Sequence, residues 1–233
     1  MTLSVKILFL FLSPLFAMSQ PSKTYVAKKI DKDIEVIGDG SHELWKSANE
    51  LTDFTYPWES GVAPATKFKA LHNSKWLYCL FTVEDSNIHV FVESNEKREA
   101  VFSDRVEIFL RKDSSMNPYY GLELDANGRV YDYQAVLHRK FDNNWSWPKG
   151  HLVVKAKRSG NGYCVEVAIS KESLSNLGLL TGNRLEAGLF RADCLELWKK
   201  GERFNVKWIS WMKPDSPAPD FHIPSAFGVL ELQ

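Results

Sequence analysis

Residues 105–111, Arg-Val-Glu-Ile-Phe-Leu-Arg, place a guanidinium, a carboxylate and an aromatic ring at alternate positions. Val106, Ile108 and Leu110 fall on one parity; Arg105, Glu107, Phe109 and Arg111 fall on the other. A period of two marks a β-strand with its apolar face in a core. The opposite face then carries groups suited to a polyhydroxylated ligand. A carboxylate accepts two hydroxyl hydrogen bonds at once, a guanidinium donates several in a fixed fork, and an aromatic face packs on C–H groups. Ordinary sheet surfaces carry the same groups, so Glu107 paired with Arg105 is the plainer reading of this face. Asp104, at the start of the strand, suits local backbone amides or a cation.

Two further aromatics stand in a loop. Trp145 and Trp147 flank Ser146 and precede Pro148, which stiffens the segment. Loop aromatics are explained less easily by a core than strand aromatics, although such rings also plug the ends of sheets. Hydrolytic chemistry has a weaker basis. Asp104 and Glu107 are three apart on a strand and so face opposite ways. Glu107 and Glu123 can share a face on adjacent strands, but nothing marks either as an acid of raised pKa. No zinc helix, nucleophile elbow or phosphate-binding glycine loop is present. Haem is disfavoured too, because the methionines and histidines show no paired spacing.

The elements that must position these groups read as strands. Segments 65–72 and 76–84 form a hairpin about Asn73-Ser74, and Asn127-Gly128 is the strongest turn signal in the chain. Strands are also expected over 104–111, 119–124, 129–137, 152–157, 163–169, 184–193, 204–211 and 227–232. Short helices are expected within 42–51, with Ser41 as a candidate cap, and over 171–177, capped by Ser170. About ten strands with minimal helix predict an antiparallel β-sandwich of the jelly-roll or immunoglobulin-like kind, with one or two short helices.

Bulk properties agree. The chain has 233 residues, and lysine plus arginine balance aspartate plus glutamate at 29 each. No basic surface points to nucleic acid. Lys6, the apolar run 7–16 and Ala17-Met18-Ser19 read as a signal peptide over residues 1–19, too short for a permanent membrane anchor. The expected mature chain, residues 20–233, is a single domain exported to the periplasm or the extracellular space. Cys79, Cys164 and Cys194 lie in apolar, strand-like contexts and read as buried small hydrophobes, with no spacing that suggests a disulfide framework.

Five blocks together resemble the family 9 carbohydrate-binding modules and their free-standing relatives. They are DIEVIGDGSHELWKSANEL (33–51), ATKFKALHNSKWLYCLFTVEDS (65–86), SDRVEIFLRKD (103–113), GYCVEVAISKESL (162–174), and WISWMKP with FHIPSAFGVLEL (208–214 and 221–232). The resemblance implies a non-catalytic β-sandwich that binds a saccharide between two tryptophans, and structural calcium, for which Asp104 is a weak candidate ligand. It matches Trp211 to one clamp tryptophan and Glu107 to a sugar-binding acid. The other clamp tryptophan is missing before Asp104, where Phe102 is a substitute, and the arginine expected on the 119–124 strand is missing too. Trp145 and Trp147 are then candidates for a replacement wall. The expected partner is a poly- or oligosaccharide, bound beside a polysaccharide-degrading enzyme. The alternatives are a sandwich that has lost sugar binding and serves as an interaction module and, less favoured, a glycoside hydrolase.

Overall fold

The computed structural model describes residues 23–233. The signal peptide expected over 1–19 lies outside the described residues. Thirteen strands follow in chain order. They are β1 (Thr24–Lys29), β2 (Thr66–His72), β3 (Trp76–Glu84), β4 (Arg105–Arg111), β5 (Tyr119–Asp125), β6 (Val130–Val136), β7 (Lys140–Asp142), β8 (Leu152–Ser159), β9 (Gly162–Ser170), β10 (Leu180–Thr181), β11 (Arg184–Cys194), β12 (Val206–Ser210) and β13 (Gly228–Leu232). One α-helix, α1 (Lys171–Asn176), follows β9, and Ser170 caps it by accepting from the Ser173 amide. The helix expected within 42–51 is a 3-10 turn, Glu43–Ser47. Its cap is His42 rather than Ser41, because the His42 Nδ1 accepts from the Leu44 amide.

The strands form two layers. One runs β7-β6-β5-β4-β11-β13-β1, and the other runs β1-β2-β3-β9-β8. The long β11 has β4 along one side; on the other it pairs first with β13 and then with β12. Pairing is antiparallel except at β1. Its first four residues pair in parallel with β13 and its last two in parallel with β2, so β1 stitches the layers into one curled sheet. The architecture is the expected sandwich with this parallel seam added.

Alternation decides the packing. Val106, Ile108 and Leu110 enter the core between the layers, with Leu122, Leu124, Phe68, Phe81, Val165 and Leu189. Burial of that apolar surface is the main force holding the layers together. The opposite face of the first layer is not bare. Phe109, Tyr119, Tyr131, Tyr133 and Phe190 form a second apolar cluster there, under Phe221 and Phe227 from the last loop. The outer face of the second layer is covered by Ile30, Ile34 and Trp45.

The Asn127-Gly128 turn forms as the sequence indicates. Gly128 has φ +80°, and Asp125 Oδ1 accepts from the Asn127 and Arg129 amides. Cys79 and Cys194 are buried, Cys164 is partly so, and all three thiols are free.

Candidate functional site

The outward parity of β4 meets that of its neighbours on the face opposite the inter-layer core. Glu107 pairs in register with Glu123 on β5 and with Phe190 on β11. Arg105 reaches both acids, with Nη2 2.9 Å from Glu107 Oε1 and Nε 2.8 Å from Glu123 Oε2. Its Nη1 donates to the Val101 carbonyl at 2.7 Å, and its guanidinium lies 5.4 Å from the Trp208 ring centre. All three charged side chains are buried. Burial first, and the Glu123 charge second, push the Glu107 carboxyl above the ordinary carboxylate range.

Beside them Gly121 opposes Tyr133. A Cβ at Gly121 would sit 2.2 Å from the Tyr133 ring, so only glycine lets that tyrosine lie across the sheet. The Tyr133 hydroxyl is buried and has no hydrogen-bond partner among the described residues.

Two loops wall the pocket. Trp58, from the loop between the Glu43–Ser47 turn and β2, donates through Nε1 to the Ser216 carbonyl at 2.8 Å, which ties that loop to the one after β12. Phe221 stacks on Phe190 at 4.1 Å, and both Trp58 and Trp208 pack against it. His222 Nδ1 lies 2.8 Å from the Tyr119 hydroxyl, and desolvation lowers its pKa to about 3. At the rim Arg139 pairs with Asp220 at 2.9 Å. The cavity is about 140 Å³ and is lined by Trp58, Arg105, Glu107, Glu123, Trp208 and His222 among others. Aromatic walls stand above a few fixed polar groups, the composition of a small-ligand site.

Of the sequence candidates, Arg105 and Glu107 line this pocket, and four others do not. Trp211 is 1 % exposed and belongs to the inter-layer core with Ile209, two positions away on the same parity. Its ring fills the space a Cβ at Gly228 would need, and no face is left for a ligand. The tryptophan on the pocket side is Trp208, of opposite parity. Trp147 is also core; its indole donates to Ser173 Oγ. Trp145 packs on Tyr120 and Trp147, which puts both loop tryptophans on the face of the sheet away from Glu107. Phe102 is stacked on Trp198 at 3.8 Å, so a pyranose cannot use that ring face. Sequence reasoning missed Trp58, Trp208 and Phe221. Trp58 follows Pro57 in a loop, the same signal that drew attention to Trp145 and Trp147.

Asp104, the candidate calcium ligand, is already held by protein donors. Its two oxygens accept from the amides of His89 and Cys194, each at 2.6 Å. Asp85 and Asp193 bring carboxylate oxygens within 4.8 Å of it and of each other. A cation is already present, however. The fully buried Arg191 bonds Asp85 at 3.1 Å and Asp193 at 2.8 Å. That guanidinium offsets carboxylate charge that a divalent ion would otherwise offset.

A two-layer β-sandwich with one aromatic-walled, carboxylate-floored pocket is the class of a small-ligand binding domain. The chain belongs to the carbohydrate family 9 binding domain-like family, matched over residues 37–233. That is a family of binding domains rather than enzymes. Among solved structures, a Bacteroides uniformis protein assigned as carbohydrate-binding is similar at TM-score 0.73 and 14% identity, covering 91% of this chain and 100% of that one. A family 9 module from Caldicellulosiruptor kristjanssonii in complex with glucose is similar at TM-score 0.58 and 16% identity, covering 91% and 96%. The cellotriose complex from the same organism gives 0.57 and 17%, covering 91% and 94%. No curated protein sequence matches.

Proposed function

We propose that the protein is a non-catalytic carbohydrate-binding protein whose sugar packs against Trp208 and Trp58 and hydrogen-bonds to Glu107, Glu123 and Arg105. One observation carries this reading. The two carboxylates and the guanidinium between them are buried yet line a cavity walled by indoles. Their remaining oxygens accept nothing from the described residues, so they can take ligand hydroxyls without giving up a protein bond. The family membership supports a saccharide as the ligand, and the relatives solved with glucose and cellotriose support a glucose-type ring. Export rests on the leader expected over residues 1–19, and with it a place beside enzymes that cleave polysaccharide.

Titration calorimetry with a panel of neutral oligosaccharides tests the reading. Binding that Trp208→Ala abolishes while leaving the fold intact supports it. Binding untouched by Trp208→Ala would place the site elsewhere.

A further inference from the structure

The charge of the pocket says more about its ligand. Glu107 and Glu123 are register partners on adjacent strands, which sets two carboxylates side by side. Like charges in that position repel. Among the described residues Arg105 is the one cation in contact with either, at 2.9 and 2.8 Å, and one guanidinium offsets one of the two charges. The other lining groups do not supply the difference. Arg139 is paired with Asp220, and desolvation keeps His222 neutral at neutral pH. Arg105 and Arg139 thus stand against Glu107, Glu123 and Asp220, so with no further cation one of the paired acids holds a proton, and burial puts it on Glu107.

We infer, on the reading that this pocket is the saccharide site, that the sugar it takes is an amino sugar, whose protonated amine lies against Glu107 and Glu123 while its ring packs on Trp208. An ammonium carries three donors and one positive charge, which matches the free carboxylate oxygens and the second carboxylate that Arg105 does not offset. The indole faces of Trp208 and Trp58 favour a cation as well. A neutral sugar fills the same hydroxyl-binding positions but leaves Glu107 its proton and gains no ion pair there. The raised pKa of Glu107 fits this account: the amine replaces the proton that burial and Glu123 favour on that carboxyl.

Calorimetry on the wild-type protein tests it with three ligands at about pH 6 and low salt: a β-1,4-linked glucosamine trimer, its N-acetylated form and cellotriose. The free-amine trimer is expected to bind at least about tenfold more tightly than either neutral trimer, with the advantage shrinking at high salt and at about pH 9 as the amine loses its proton. Equal or weaker binding than cellotriose overturns the inference and leaves the saccharide reading standing. Failure of all three to bind overturns the inference, and failure of a wider neutral panel overturns the reading with it. Glu107→Gln is expected to reduce the amine's advantage. Should that variant misfold, Trp208→Ala, on a partly exposed ring, is expected to remove binding of the amine trimer. An advantage that survives in a folded variant belongs to general surface charge, and the inference then falls.

Discussion

Arg105 on β4 reaches diagonally across the sheet to Glu123 on β5, Nε to Oε2 at 2.8 Å, while its Nη2 stays with Glu107 on its own strand. One buried guanidinium therefore serves two acids, and losing the cation is not equivalent to losing an acid. Arg105→Met leaves two buried carboxylates facing each other and is expected to cost about 3–5 kcal/mol, the usual penalty for orphaning a buried charge. Glu123→Gln leaves the simple Arg105–Glu107 pair and is expected to cost much less. Urea denaturation of both variants checks the asymmetry; equal losses would mean that the three groups do not act as a unit.

Two tryptophans of one segment are expected to separate stability from binding. Trp211 fills the inter-layer core, so Trp211→Ala is expected to cost about 3–5 kcal/mol of stability. Trp208 is partly exposed at the pocket, so Trp208→Ala is expected to cost about 1 kcal/mol or less in stability and most of the saccharide affinity. Thermal melts paired with calorimetry read both. The opposite assignment follows if Trp211→Ala folds normally and fails to bind.

That pair also shows where the sequence stops being legible. On β4 one parity is wholly apolar and the other carries Arg105, Glu107 and Arg111 around Phe109, so which face is inter-layer core follows from the residues alone. On β12 both parities carry a tryptophan or an isoleucine, so periodicity cannot say which ring is core. That is decided by Gly228, which leaves room for Trp211 from a strand seventeen positions on. The pocket's outer wall is less legible still. Trp58 and Phe221 are 163 residues apart and meet on the outer face of the first layer, where the Thr55–Ser210 bridge and the Trp58–Ser216 hydrogen bond bring the Trp58 loop to the segment after β12. Residues 24–36 read as extended chain, and no local pattern names the partners of an extended strand. Glu107 and Glu123 were reachable as a same-face pair. The guanidinium between them needed the diagonal that only the register supplies.

The Glu107 carboxyl predicts a pH dependence with a definite sign. Burial, and then the Glu123 charge, raise its folded pKa above the unfolded value. Between those two values the folded state binds more protons than the unfolded state, so stability falls as pH rises through the window. The slope is at most about 1.4 kcal/mol per pH unit for one group. Glu107→Gln removes the titrating group, so its stability relative to wild type is expected to improve steadily from about pH 4 upward. Chemical denaturation of both proteins across that range measures the difference. A difference that stays flat with pH would mean that Glu107 is not raised.

Arg191 makes the acidic cluster self-sufficient. Its guanidinium, fully buried, bonds Asp85 and Asp193, while Asp104 is occupied by two backbone amides. The internal cation does the work a bound ion would do, so chelator is expected to leave the wild-type melting temperature unchanged. Arg191→Ala removes that charge and leaves three carboxylates with oxygens within 4.8 Å of one another. The variant is expected to be destabilised by several kcal/mol, about the 3–5 kcal/mol of a broken buried pair. It is also expected to become responsive to calcium, because an ion that binds only the folded form adds about 2.7 kcal/mol at a hundred times its Kd. Calcium has the oxygen preference and the flexible coordination such a cluster offers. Melting curves of both proteins with chelator and with calcium decide the matter. A chelator effect on the wild type would show that the guanidinium does not substitute for a metal.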